Sequence, residues 1–278
     1  MLYQKIHLSE KFPNLGEDGK DPVLTLYVLD NLPEMHWENR MHPCILICPG
    51  GGYERCSERE QEPIAMPFLA AGYHVFTLNY SVVPYRFPTQ LIEVAAALEV
   101  IYEHTEAWHC DVNHITIMGF SAGGHLAAHY SNSYDCQEVR EVFPNSKPVY
   151  ASILGYPVIT TKAPYIQGSI SNLLGPMGTS QEMQNRVSCE NLVTNHTPPA
   201  FIFHTAADTC VAVQNSLLYG FALAEYHIPF AMRIYPDGYH GLATADPQTC
   251  DILPDTVKPV SGWIQDAITF LKNRMAED

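Results

Sequence analysis

The sequence predicts an α/β fold: a doubly wound, mostly parallel sheet with helices on both faces, in one domain over residues 1–278. Three observations predict it. Short, nearly continuous apolar runs recur along the chain, each bounded by Gly or Pro, as in strands buried on both faces. Segments of helical periodicity lie between them. With 46% hydrophobic and only 16% charged residues, the chain has enough apolar surface to cover such a sheet from both sides.

Taken in order, residues 23–29 read as an antiparallel strand at the sheet edge. Cys44-Ile45-Leu46-Ile47-Cys48 is apolar throughout and runs into Pro49-Gly50-Gly51-Gly52. Val75-Phe76-Thr77-Leu78 is the next strand, and 91–102 follows as a helix, with apolar residues three and four apart. Strands are then expected at 115–118, 151–154, 200–203 and 232–235, and helices at 216–226 and 263–275. Strands alternating with helices imply right-handed crossovers. The segment from about 160 to 197, rich in Pro, Gly, Asn and Ser, breaks this rhythm. It reads as an irregular insertion, either a binding loop or variable surface.

Composition excludes several partners. Fifteen basic against 30 acidic residues give a net charge of −15, which repels phosphate backbones and anionic headgroups. Neither nucleic acid nor a membrane is therefore an expected partner, and no apolar stretch reaches the roughly 18 residues of a membrane span. The N-terminal Met1-Leu2-Tyr3-Gln4-Lys5-Ile6-His7 lacks a basic-then-apolar secretory pattern, so a cytoplasmic location is expected. The eight cysteines contain no CxxC pair and read as reduced thiols. Thirteen histidines without ligand spacing predict no metal site, and nothing calls for a cofactor.

The chemistry concentrates in Gly119-Phe120-Ser121-Ala122-Gly123. An apolar strand precedes this G-x-S-x-G and a helix start follows it, the context a nucleophile elbow requires. Ser121 is the candidate nucleophile. A serine hydroxyl needs a base, and His240, on the glycine-flanked loop Gly238-Tyr239-His240-Gly241, can reach over the strand ends. His125 and His129 on the elbow helix, and His204 at a strand end, read as packed histidines. Asp208 is the candidate acid, the only acidic residue between Asn191 and Leu223, with Asp237 the runner-up. Its role would be to orient His240 and stabilise the imidazolium. Gly51 and Gly52, with the amide of Ala122, are assigned to an oxyanion hole. Phosphate binding, the competing use of a glycine loop, is not supported, since no Lys or Ser/Thr follows in P-loop spacing.

These motifs together resemble the branch of the α/β-hydrolases that holds acetyl-xylan esterases and bacterial feruloyl esterases. The markers are Pro49-Gly50-Gly51-Gly52-Tyr53, Gly119 to Gly123 with His125-Leu126-Ala127, Leu154-Gly155-Tyr156-Pro157, Asn172-Leu173-Leu174-Gly175, the Asp208 loop and the His240 loop. The chain is most similar in pattern to small cytoplasmic carboxylesterases of lactic-acid-type bacteria. The resemblance implies the α/β-hydrolase fold and hydrolysis of short acyl esters, acetyl above all, with carbohydrate esters among the candidate substrates. Two features depart from relatives of hormone-sensitive lipase. Pro49 stands where they carry His, and about fifty residues precede the glycines where they have a long cap. An acyl tunnel built from a large cap is not expected. Where the family has a proline after the valine of the acid loop, this chain has Ala212.

The expected partner is a small-molecule ester, with self-association through exposed sheet edges left open. Tyr53, Tyr165, Ile166 and Leu173 are the candidate pocket wall. A prolyl-peptidase-like activity and a non-catalytic binding module on the same fold stay as alternatives, since fold does not dictate function.

Overall fold

The computed structural model describes residues 1–162 and 168–277. Among these, the strands are β1 (Leu2–His7), β2 (Val23–Val28), β3 (His42–Cys48), β4 (His74–Asn79), β5 (Cys110–Phe120), β6 (Ala151–Gly155), β7 (Ala200–Thr205) and β8 (Phe230–Tyr235). They form an eight-stranded sheet in the order β1-β2-β4-β3-β5-β6-β7-β8. β2 pairs antiparallel with β1 and β4, and every pairing from β4 through β8 is parallel.

The apolar runs build two hydrophobic layers because successive side chains leave a strand on opposite faces. On β3, Ile45 and Ile47 enter one layer while Cys44, Leu46 and Cys48 enter the other. The first layer packs against the helices Glu62–Ala70 and Trp263–Met275, through Ile64, Phe68, Trp263 and Leu271. The second packs against Thr89–Glu103, Ala122–Ser133 and Gln214–Glu225, through Leu91, Val94, Leu126 and Leu223. A strand walled in on both sides has no polar face, which is why the central runs lack alternation.

Three elements differ from expectation. The edge strand is β1, so the 23–29 segment, found as β2 at Val23–Val28, lies one place inside it. Leu2 to Lys5 are exposed, and a strand that buries so little leaves only a faint apolar signature. The helix Glu62–Ala70 contains Pro63 and Pro67. Pro63 stands in the first turn, where the missing N–H would have had no partner, but two prolines hide the helical pattern. The 160–197 segment is partly helical, with Gly168–Leu174 and Gln181–Val187, the latter capped by Ser180, whose Oγ accepts from the Met183 amide.

Parallel pairing sends the C-terminal ends of β3, β5, β7 and β8 to one edge of the sheet. The glycine triplet, Ser121, the Asp208 loop and the His240 loop follow these four strands in turn. Ligand sites of open α/β sheets lie at this edge.

Candidate active site

Ser121 stands between β5 and the helix Ala122–Ser133 with φ 53° and ψ −120°, a conformation L residues rarely adopt. Such a backbone costs about 1–3 kcal/mol and persists only where its surroundings over-determine it. They do so here. The Ser121 amide donates to Gly155 O at 3.0 Å, and its carbonyl accepts from the amides of His125 and Val158, each at 3.0 Å. The flanking glycines permit the turn by close approach: a Cβ on Gly119 would lie 2.1 Å from Gly123 O, and one on Gly123 2.1 Å from Cys48 O.

Three side chains far apart in sequence meet at this turn. His240 Nε2 lies 2.8 Å from Ser121 Oγ, and His240 Nδ1 lies 2.7 Å from Asp208 Oδ2. With the Nδ1 proton directed at the carboxylate, Nε2 is free to accept from the serine hydroxyl. Asp208 Oδ1 accepts from the amides of Cys210 at 2.8 Å and Val211 at 2.9 Å. Burial alone would push this carboxyl up, yet hydrogen bonds from His204 and His240, the charge of His240 and the Val211 amide hold it well below the usual carboxylate range. Asp208 is therefore a fixed negative charge beneath the imidazole.

The rival residues have other partners. His125 is fully buried, with Nδ1 2.8 Å from the Tyr53 hydroxyl and Nε2 2.7 Å from Val187 O. Burial pushes the His125 imidazole down to about 4 and that of His129 to about 3, so both stay neutral. His204 donates from Nε2 to Val211 O at 2.9 Å and contacts Ser216 through Nδ1, but it also lies 3.4 Å from Asp208 Oδ2. Sequence reasoning read it as packing alone and missed its place beside Asp208. Asp237 is exposed, and His240 turns to Asp208 instead.

A cavity of about 400 Å³ opens on Ser121 and His240, and Gly51, Gly52, Asn172, Val158 and Val211 line it. Gly51 and Gly52 of the glycine turn thus lie on the cavity wall. The expected pocket wall differs. Tyr53, next to that turn, points into the core, 1% exposed, with its ring tilted against Tyr80 and edge-on to His125, and does not face the cavity. Leu173 is likewise in the core, and its carbonyl accepts from the Phe87 amide at 3.0 Å. Its helical neighbour Asn172 faces the cavity instead and donates from Nδ2 to Gly52 O at 2.9 Å. Tyr165 and Ile166 lie outside the described residues. Tyr53→Phe should lower stability by about 1–3 kcal/mol, because His125 Nδ1 loses its buried donor, and should leave KM unchanged. Thermal melts beside ester kinetics check this; a raised KM would return Tyr53 to the pocket wall.

Sequence reasoning also missed Arg59 and Glu60, both on the cavity wall. Glu60 is 3% exposed. Its Oε2 accepts from the Gly50 amide and its Oε1 from the Tyr156 hydroxyl, both at 2.7 Å. Among the described residues, no group of three or more His, Cys, Asp or Glu is placed to hold a metal ion. No helix among them is long and apolar enough to cross a membrane.

Known proteins resemble the chain over most of its length. The BD-FAE family model matches residues 31–223. An acetylxylan esterase of Xylanibacter ruminicola is 31% identical over 233 residues, 82% of this chain and 45% of that protein. A protein named endo-1,4-beta-xylanase B from Butyrivibrio fibrisolvens is 35% identical over 226 residues, 76% of this chain and 34% of that protein. The chain thus spans less than half the length of these two relatives. Two crystal structures extend over nearly the whole chain. An acetyl ester-xyloside bifunctional hydrolase from Caldicellulosiruptor lactoaceticus superposes with a TM-score of 0.83 at 31% identity, covering 97% of this chain and 96% of that one. A carboxylesterase from Lactobacillus plantarum gives 0.84 at 29% identity, covering 99% and 98%. By sequence family and by architecture, the chain belongs to the BD-FAE family and has the α/β-hydrolase fold.

Proposed function

We propose that the protein is a serine carboxylesterase that hydrolyses short-chain acyl esters, chiefly acetyl esters, with carbohydrates as the alcohol half. One observation carries the reading: the hydrogen-bonded chain from Asp208 through His240 to Ser121, opening on a cavity of about 400 Å³. The names of the related acetylxylan esterase and acetyl ester-xyloside hydrolase support the acetyl and carbohydrate halves of the proposal.

The reaction runs in two acyl transfers. Ser121 Oγ attacks the ester carbonyl as its proton passes to His240 Nε2. The charge that develops on the carbonyl oxygen is held by the amides of Gly51, Gly52 and Ala122, the last at a helix N-terminus whose dipole favours negative charge. The tetrahedral intermediate collapses, the C–O bond to the alcohol breaks, and His240 returns the proton to the leaving oxygen. Water then attacks the acyl-enzyme by the same route and releases the carboxylic acid and free Ser121. Throughout, Asp208 keeps the Nδ1 proton in place and balances the transient imidazolium.

A panel of nitrophenyl and acetylated-sugar esters of increasing acyl length tests the proposal, with acetyl esters expected to turn over fastest. Fast cleavage of long acyl chains alone, or of aminoacyl amides and not esters, would overturn it. The pH profile is a second test. A protonated imidazole cannot accept the serine proton, so kcat/KM should fall as the pH is lowered. Asp208, held well below the usual carboxylate range, stays charged and adds no second proton to that fall. On the acid side log kcat/KM should therefore approach a limiting slope of one; a limiting slope of two would show that a second group titrates with the base.

A cytoplasmic location is part of the same proposal. All eight cysteines are unpaired, and Cys44, Cys48, Cys110, Cys189 and Cys250 are buried, as suits a reducing compartment.

A further inference from the structure

We infer that Glu60 is a positioning residue for both halves of the site, its carboxylate holding the glycine turn at one oxygen and, through Tyr156, the loop of the base at the other. The inference rests on the reading of Ser121, His240 and the glycine turn given above. Gly50 is wedged between Glu60 and the nucleophile: a Cβ added there would meet Glu60 Oε2 at 2.8 Å and Ser121 Cβ at 3.0 Å. The Gly50 amide donates to Glu60 Oε2, while Asn172 holds the far end of the triplet through Gly52 O. On the other side, the Tyr156 hydroxyl donates to Glu60 Oε1 and accepts from the Ala243 amide at 3.0 Å. The Tyr156 ring meets the His240 imidazole edge-on, with 5.0 Å between centroids. One side chain thus ties the turn after β3 to the loop after β8, with β5, β6 and β7 between them in the sheet.

The chemistry of the carboxylate matters to this role. It presents acceptors in two directions, toward an amide and toward a hydroxyl, and both donors are neutral. Burying a carboxylate without a paired cation is costly. Burial pushes the Glu60 carboxyl up, opposed by the Tyr156 hydroxyl and the Gly50 amide. A glutamine could still accept from Gly50 through its oxygen. Its NH₂ would face the Tyr156 hydroxyl, already engaged by the Ala243 amide, and would leave the hydroxyl proton without its acceptor. Alanine would release both loops. An error of about 1 Å in such loops costs on the order of a hundredfold in rate, because the donors act on the transition state and only weakly on the bound substrate.

The test compares wild type, Glu60→Gln, Glu60→Ala and Tyr156→Phe in nitrophenyl acetate kinetics, inhibition by a trifluoromethyl ketone and thermal melts. Glu60→Ala is expected to lower kcat about a hundredfold with KM held within about threefold, and to weaken the ketone, which forms an oxyanion on Ser121, by a similar factor. Glu60→Gln should recover about tenfold of that loss, and Tyr156→Phe should lose about tenfold. A raised KM at unchanged kcat would make Glu60 a substrate contact and overturn the inference, as would an effect confined to the melting temperature. Should Glu60→Ala fail to fold, Glu60→Gln and Tyr156→Phe decide the matter, and wild-type kcat in both overturns it. A wild type inert to every ester and to a fluorophosphonate would instead overturn the reading of Ser121 on which the inference stands.

Discussion

Replacing Ser121 with Ala should lower kcat by about a thousandfold or more, the scale seen when the nucleophile is removed from a serine hydrolase triad. Oγ is the only heavy atom lost. The elbow is held by backbone bonds to Gly155, His125 and Val158, none of which uses Oγ, so the turn should survive the change. His240, the glycine turn and the cavity remain and can still polarise an ester for attack by water, which sets a floor under the residual rate. Initial rates on nitrophenyl acetate measure the loss, and a melt close to wild type shows that it is chemical. Near-normal turnover by this variant would remove Ser121 from the mechanism and leave the hydrogen-bonded chain without a function.

Asp208→Asn should cost nearly as much, on the order of a thousandfold to ten-thousandfold in kcat, through the wrong histidine tautomer. The reason is local. Oδ1 faces two donors, the amides of Cys210 and Val211, so the oxygen of an asparagine must take that side. The NH₂ group then faces His240 Nδ1, where the carboxylate oxygen stood 2.7 Å away. A donor facing a donor drives the imidazole proton to Nε2, and an Nε2–H cannot accept from Ser121. The geometry stays almost intact while the proton is in the wrong place. Kinetics together with ring-nitrogen NMR of the histidine would show the two changes together; a variant with normal rate and an Nε2-protonated ring would separate orientation from catalysis.

The parts of this protein legible in the sequence are those dictated by short-range rules. A strand buried on both faces must be apolar throughout, so β3, β5, β6 and β7 show themselves in composition. An elbow needs small residues on both sides of its serine, because the backbone of β3 passes within contact of Gly123. The chain order of Ser121, Asp208 and His240 follows from the order in which parallel strands deliver their loops to one edge. The pocket wall was not legible, since it depends on where a loop turns. Tyr53 follows the glycines directly, yet a backbone φ of 58° swings it into the core. Leu173 and Asn172 are adjacent on one helix, and only the packing of that helix decides which of them faces the cavity. Glu60 sits in Ser57-Glu58-Arg59-Glu60-Gln61-Glu62, a stretch that reads as solvated surface. Nothing local distinguishes it from Glu58 and Glu62; the reversal of the chain after the glycine turn buries it and leaves Glu58 outside.

The parallel pairing of β3 with β5, in register from Cys44 with Ile115 to Cys48 with Gly119, carries a consequence for how the protein fails. Ser121 and the glycine turn beside it hang from the inner rungs of the sheet, the last to open when a protein breathes. The imidazole hangs from β8, a marginal strand whose residues are only partly covered. Warming is expected to loosen this margin before the interior melts, so that ester turnover should fade at a lower temperature than the global unfolding transition and return on cooling from that range.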